Sequence, residues 1–191
     1  MIYLVRHGQT DWNLEKKTQG HTDIPLNENG RKQAEKVAER IEDLKIDRII
    51  SSDLLRAKET AEIINKKFGK NITYDSRIRE INYGVLEGIP RDTLTQDIWD
   101  TFNTKPEELK AENKIHVYNR IKSFFNDLKN SKDNILIVTH GGALRMIMYY
   151  AQNKNDFDNT KYLKEFNNAK INNADIFEWN NELRVYKKED A

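Results

Sequence analysis

The chain has 191 residues, and its 32 Lys and Arg against 31 Asp and Glu give a formal net charge of +1. That length suits one large domain, and the charge balance gives no electrostatic case for nucleic acid or an anionic membrane as a partner. Because cysteine is absent, disulfides, thiolate nucleophiles and zinc-thiolate sites are excluded. Arg6 and His7 interrupt the first apolar run too early for a signal peptide or membrane span, so we expect a cytoplasmic protein.

Predicted strands and helices alternate along the first half of the chain. Residues 2–5 and 48–50 are short apolar runs rich in β-branched side chains, which is typical of parallel strands buried on both faces. We expect helices to begin at residues 27–30 and at Ser52-Asp53. The apolar residues of these two helices recur at the 3.6-residue period of one helix face. They are Ala34, Val37, Ala38, Ile41 and Leu44, then Ala57, Ala61, Ile64 and Phe68.

The second half continues the alternation after an excursion. Residues 89–112 contain two prolines and predict a short excursion near the active site rather than a second domain. A third helical stripe is followed by an apolar strand at 135–138; the stripe is Val117, Ile121, Phe124, Phe125 and Leu128. The polar composition of residues 152–170 predicts a surface connection. Residues 174–179 and 183–186 predict the two strands of a late hairpin whose turn is at 180–182. The whole chain therefore predicts a single α/β domain, three-layered α/β/α with a mostly parallel central sheet.

A polar cluster follows each of the three apolar strands. The clusters are residues 6–10, residues 51–53 with an arginine one helical turn later, and residues 139–142. Ligands of open α/β sheets bind outside the carboxyl ends of the strands. We therefore expect His7, His140, Arg6 and Arg56 to converge on one crevice.

This set of side chains points to phosphoryl transfer. Two guanidinium groups can hold a phosphate dianion with forked hydrogen bonds, and backbone N–H groups near Gly141 can approach it closely because glycine has no Cβ. Since cysteine is absent, and since the two serines are placed like a helix cap, His7 is the expected nucleophile. Phosphoryl transfer depends mainly on positioning and charge stabilisation. The residues thus predict a site that needs no metal and no other cofactor.

Four segments, in order along the chain, resemble the motifs of the histidine phosphatase superfamily, which also contains the cofactor-dependent phosphoglycerate mutases. They are LVRHGQTDWN at 4–13, SSDLLRAKETA at 51–61, RIREINYGVLEG at 77–88 and IVTHGGALR at 137–145. The resemblance spans essentially the whole chain. It implies a phosphoglycerate mutase-like fold and a phosphohistidine at His7.

The resemblance also implies roles for individual residues. Glu80 would protonate the leaving oxygen and then deprotonate the water that hydrolyses phospho-His7, and Arg120 falls where such proteins carry an arginine. The implied phosphate and substrate contacts are Arg6, Asn13, Gln19, Gly20, Arg56, His140 and Gly141.

Neighbouring polar and aromatic residues have simpler interpretations. Asn13 can equally cap or turn the loop after the first strand. We expect His21 to be a structural or rim residue, Trp12 to pack, and Glu87 to be a solvated carboxylate.

Three functions remain open: a phosphomonoesterase, a mutase that returns the phosphoryl group to its substrate, and a phosphoryl-binding module without catalysis. The module is disfavoured because every implied catalytic residue is present. Against a mutase stand the short excursion, Gln19-Gly20 where mutases carry Thr-Gly or Ser-Gly, and Gly142-Ala143 where they carry Asn-Ser. At residues 111–113 the chain departs from the Gly-Glu-Ser that many phosphatases of the family carry at this place. The resemblance therefore leaves the substrate open. The expected partner is a small-molecule phosphate ester; its identity and the oligomeric state are not predicted.

Overall fold

The described residues, 1–180 and 182–187 of a computed structural model, contain one six-stranded sheet with the strand order β3-β2-β4-β1-β5-β6. The strands are β1 (Ile2–Arg6), β2 (Arg48–Ser51), β3 (Ile72–Tyr74), β4 (Ile135–Thr139), β5 (Ile176–Trp179) and β6 (Leu183–Val185). The first four in spatial order are parallel, whereas β5 runs antiparallel to β1 and pairs with β6. The predicted mostly parallel sheet is confirmed.

Helices cover both faces of this sheet. They are α1 (Asp11–Leu14), α2 (Glu28–Arg40), α3 (Leu55–Phe68), α4 (Gln96–Thr104), α5 (Lys114–Leu128), α6 (Gly141–Gln152) and α7 (Asn159–Glu165). α2 and α3 pack together on one face, and α5 and α6 on the other. The three predicted helical stripes lie on these helices and face the two cores, although Ile41 and Leu44 follow the end of α2.

Strand β4 shows why the apolar runs do not alternate. Ile135 and Ile137 belong to the core beneath α5 and α6, whereas Leu136 and Val138 belong to the core beneath α2 and α3. All four are at most 1% exposed. Burying a side chain of this size contributes about 1.5–3 kcal/mol, so both faces of the central strands demand apolar residues.

Of the two predicted helix starts, one agrees with the structure and one differs. Asn27 caps α2 as expected, its side chain accepting the Gly30 N–H at 2.8 Å. The second helix, α3, begins at Leu55, later than predicted, and its preceding residue provides no side-chain cap. The carboxylate of Asp23 accepts the Leu55 N–H instead, at 2.6 Å. A cap supplied from 32 residues away leaves no local sequence signal.

Residues 152–170 are more than the predicted surface connection. They contain α7, whose Tyr162 is fully buried. The late hairpin is confirmed by the pairing of β5 with β6, although Asn181 in its turn lies outside the described residues. Within the described ranges, none of the helices has the length and hydrophobicity to cross a bilayer.

The excursion at 89–112 packs beside the carboxyl ends of the strands. Pro90 forms a β-bridge with Lys17, and α4 follows. Phe102 of α4 stacks on Tyr83 with ring centres 5.0 Å apart. The ammonium of Lys114 lies 4.2 Å from the centre of the Phe102 ring. Aromatic contacts therefore fix α4 against the segment that follows Glu80.

Candidate active site

A cavity of ≈230 Å³, here called the central cavity, opens at the carboxyl ends of β1 and β4. It brings together most of the residues singled out from the sequence. Those that line it are Arg6, His7, Asn13, Gln19, Gly20, Arg56, Glu80 and Gly141. Convergence at the strand ends is the expected consequence of a parallel sheet.

His7 is held as a neutral imidazole with one free nitrogen. Its side chain is 2% exposed, and Nδ1 lies 2.7 Å from the carbonyl oxygen of Gly8. A carbonyl oxygen only accepts, so Nδ1 carries the proton and Nε2 keeps its lone pair. Burial, followed by the charges of Arg56 and Arg6, lowers the pKa of His7 well below its ordinary value. His7 therefore keeps a nitrogen lone pair available, as a nucleophile requires.

Arg6 and Arg56 bring buried positive charge to this histidine. Arg56 is fully buried and donates to the carbonyl oxygens of Thr22 at 3.0 Å and Gly20 at 2.7 Å. Burial lowers its pKa to about 10, so it stays charged at neutral pH. Arg6 donates to the Ile171 carbonyl oxygen at 2.6 Å.

Neither arginine forms an ion pair within the described part of the chain, and the Nε atom of each is buried without a hydrogen-bond partner. A buried charge is costly unless an opposite charge compensates it. The pair therefore favours an anion in the cavity.

Glu80 is a buried carboxylate held by backbone donors. It accepts N–H groups from Ile81 at 2.9 Å, Gly142 at 3.0 Å and Ala143 at 3.1 Å. Burial alone would raise the pKa of Glu80, but these hydrogen bonds and the charge of Arg56 outweigh it, and the pKa lies below the ordinary value. A Cβ on Gly142 would come within 2.3 Å of the carboxylate, so this contact requires glycine there.

Arg120 positions Glu80 without lining the central cavity. Its guanidinium donates to the carbonyl oxygens of Arg77 at 2.6 Å, Arg79 at 2.8 Å and Glu80 at 3.0 Å. Two further hydrogen bonds at 2.8 and 3.1 Å join it to the carboxylate of Glu112. One side chain on α5 thus holds the backbone from 77 to 80.

Asn13 and Gln19 face the cavity with different local roles. The Oδ1 atom of Asn13 accepts from the Thr10 N–H at 3.0 Å and the Asn173 amide at 3.2 Å. This oxygen fixes the turn, which leaves the amide Nδ2 as the possible ligand donor. Gln19 is buried and its Oε1 has no partner. Gly20 adopts a φ of +58° against Glu87, where a Cβ would clash.

His140 lies behind His7 rather than on the cavity wall. The two imidazole centres are 5.1 Å apart, and Nε2 of His140 is 2.8 Å from the hydroxyl of Ser52. Its side chain is fully buried, and burial followed by Arg56 lowers its pKa well below the ordinary value. A direct contact of His140 with phosphate stays a prediction.

The structure changes two interpretations of neighbouring residues and supports a third. Glu87 is not a solvated carboxylate, because it accepts the backbone N–H groups of His21, Thr22 and Tyr83. Trp12 was expected only to pack, but it also lines the central cavity. His21 is structural as expected, with Nε2 2.9 Å from the Glu80 carbonyl oxygen.

Sequence reasoning missed several residues of the cavity wall. They are Lys16, Lys17, Tyr83, Arg91 and Arg145. Arg145 lies one turn into α6, the helix that starts at the third polar cluster, and this spacing was an available signal. Glu80 is the only acid on the described wall, which carries six Lys and Arg side chains.

A mostly parallel sheet with a buried neutral histidine beside two buried arginines, neither of them in an ion pair among the described residues, is the arrangement expected of an α/β protein that binds an oxyanion. The family model for the histidine phosphatase superfamily (branch 1) matches residues 2–189. The chain belongs to this superfamily.

Individual relatives carry different names. "Probable phosphoglycerate mutase GpmB" of Salmonella choleraesuis (strain SC-B67) is 53% identical over 96 residues, covering 50% of this chain and 45% of that protein. A phosphoserine phosphatase mutant from Entamoeba histolytica, solved with phosphoserine, is 28% identical with a TM-score of 0.78, covering 97% of this chain and 94% of that one. A mycobacterial glucosyl-3-phosphoglycerate phosphatase complexed with VO3, at 24% identity, 96% coverage of both chains and a TM-score of 0.75, shares the fold.

Proposed function

We propose that this protein is a phosphomonoesterase that hydrolyses small phosphate esters through a phosphohistidine on His7. The observation that carries this proposal is the pair of buried arginines, neither of them in an ion pair among the described residues, beside the free Nε2 of His7. A phosphate dianion compensates both buried charges and places phosphorus next to a neutral nucleophile.

The reaction has two transfers. Nε2 of His7 attacks phosphorus, the ester P–O bond breaks, and the leaving oxygen takes a proton from Glu80. Water then attacks phospho-His7 and gives a proton back to Glu80, so phosphate is released and both residues return to their starting state. Arg6 and Arg56 stabilise the charge on the phosphoryl oxygens throughout.

Glu80 must gain its proton when substrate binds, because its pKa is lowered in the free protein. Two sources fit this requirement. A bound dianion next to the carboxylate disfavours a second negative charge and raises its pKa. A monoester also has a second pKa of about 6, so its monoanion brings a proton with it.

Hydrolysis rather than mutase chemistry is supported by the phosphatase neighbour, which matches 94% of its own length. The relatives named as mutases match over about half of either chain. As part of the proposal, the enzyme works in the cytoplasm on a small molecule, without a metal. Among the described residues no three His, Asp or Glu side chains are grouped as metal ligands.

Phosphate release from a panel of monoesters, measured in EDTA, tests this function. Phosphoglycerate isomerisation is assayed alongside with its bisphosphate as primer. We expect phosphate release that EDTA leaves unchanged. Isomerisation that outruns release would assign a mutase, and activity that returns only with added magnesium or zinc would contradict the mechanism.

A further inference from the structure

A second cavity of ≈500 Å³, here called the side cleft, opens next to the central cavity. One of its walls is α4, and the other is the end of α7 with the residues that follow it. Tyr83, Arg91 and Arg145 line both cavities. The two spaces therefore meet at these three side chains.

The sizes of the two cavities indicate which part of the substrate each one holds. Ligand sites usually occupy about 300–1,000 Å³, and the central cavity at ≈230 Å³ falls below that range. It holds the phosphoryl group and few other atoms. Anything larger on the ester oxygen extends past Tyr83 and Arg145 into the side cleft.

The walls beyond this junction are uncharged and rich in amides, and they also include the apolar Phe102 and Leu163. Trp99 lies half-buried on α4, and the amide side chains around it are Gln96, Asn103, Asn167 and Asn168. Within the described part of the chain, no hydrogen bond occupies the side-chain amides of Asn103 and Asn167. Each amide offers both donors and acceptors, as a hydroxyl group does.

Other chemical classes fit these walls less well. Among the described residues that line the cleft none is acidic, so an ammonium group gains no counter-charge. Arg91, which lies over the rings of Tyr83 and Trp99 at 5.6 and 6.0 Å, adds positive charge at the junction. An apolar group would strip water from the amides without replacing their hydrogen bonds.

From this arrangement we infer that the side cleft binds the alcohol part of the substrate, and that this part is a neutral polyhydroxylated group of sugar size. Asn103 and Asn167 bind its hydroxyls from opposite walls, and the ring of Trp99 packs against its C–H face. The inference rests on the proposed function for the central cavity.

Equilibrium binding to a His7→Ala variant tests the cleft apart from catalysis. Dissociation constants are measured by calorimetry for glucose 6-phosphate, glycerol 3-phosphate and phosphoserine. We expect glucose 6-phosphate to bind about tenfold more tightly than the other two. Adding Asn167→Ala or Asn103→Ala should reduce that ratio about 3- to 10-fold, the usual scale for one hydrogen bond. Asn126→Ala, an exposed asparagine on α5, is the matched control, and thermal melting checks the fold of each variant.

The outcomes separate the two proposals. Equal binding of glucose 6-phosphate and glycerol 3-phosphate overturns the side-cleft inference, as does a ratio that both asparagine variants leave unchanged. Tighter binding of phosphoserine also overturns it. If the ratio responds as expected but the unsubstituted protein releases no phosphate from any ester, the cleft assignment stands and the proposed hydrolysis fails.

Discussion

The central cavity and the side cleft are built by different parts of the chain and in different ways. The central cavity gathers buried charges at the ends of β1 and β4, and its arginines and Glu80 are fixed by backbone carbonyl and N–H groups. The side cleft is lined largely by half-buried and exposed polar side chains, most of them on α4 and after α7, together with the apolar Phe102 and Leu163. Rigid, desolvated charge suits a step common to all phosphate esters, whereas adaptable amides suit selection among them. Substitutions in the first region should therefore affect every ester, and those in the second only some.

The largest effect, and the one exception within the central cavity, is expected for Glu80→Gln. An alkoxide leaving group needs a proton, whereas nitrophenolate leaves readily without one. General acid catalysis contributes about 10²–10⁴-fold, so formation of phospho-His7 from an alkyl phosphate should slow by that amount and from p-nitrophenyl phosphate far less. Single-turnover kinetics isolates this step from the later hydrolysis. Equal slowing of both substrates would show that Glu80 is not the acid.

Arg56→Lys should slow all esters alike. The lysine keeps a positive charge but loses the fork that binds the Gly20 and Thr22 carbonyl oxygens. We expect kcat/KM to fall about 10²–10³-fold, the scale for losing a preorganised charge-stabilising donor. Steady-state assays on glycerol 3-phosphate and glucose 6-phosphate measure it, with the surface variant Arg31→Lys as a matched control. A loss confined to one ester would contradict the division of roles between the central cavity and the side cleft.

Arg120→Met should act through the position of Glu80. The variant loses the three carbonyl contacts and leaves Glu112 without its ion-pair partner. We expect kcat to fall about 10- to 100-fold with a smaller change in KM, because misplacing a catalytic group by about 1 Å has that order of effect. Arg120→Lys, which retains the charge, should recover part of the loss. An unchanged kcat in a folded Arg120→Met protein would contradict the positioning role.

The smallest effect concerns stability against pH. Burial keeps His140 neutral in the fold because its pKa lies well below the ordinary value. The unfolded chain binds a proton there below about pH 6.5, so the fold loses stability as pH falls. Replacing His140 by Asn should reduce the slope of unfolding free energy by about 1.2 kcal/mol per pH unit between pH 6 and 5. Urea unfolding measures this, with His116→Asn as the control; equal slopes for wild type and His140→Asn would show that His140 titrates in the fold.

The difference between the two regions also decides what the sequence could predict. His7 and Arg56 lie in local motifs that follow strand ends, and Glu80 lies in a motif that the family resemblance identified, so pattern and resemblance together placed all three. Trp99 and Asn167 line one cleft only because α4 packs on Tyr83 and α7 ends nearby, and neither feature leaves a periodic or local signal in the sequence.

Helix α7 shows the same limit at the level of the fold. Its segment is rich in Asn and Lys, and its buried Tyr162 and Phe166 form only a short apolar stripe. Helix α7 therefore depends on packing against distant parts of the chain, which the composition of its own segment does not indicate.

The most direct test of the account is the identity of the phosphorylated residue. The enzyme is mixed with a phosphate ester and quenched in alkali, because a phosphohistidine survives alkali but not acid, and its peptides are then mapped. We predict phosphate on the peptide that contains His7, and no phosphate on the corresponding peptide of His7→Ala. Phosphate found only on a serine or a carboxylate, or full activity in His7→Ala, would contradict the mechanism.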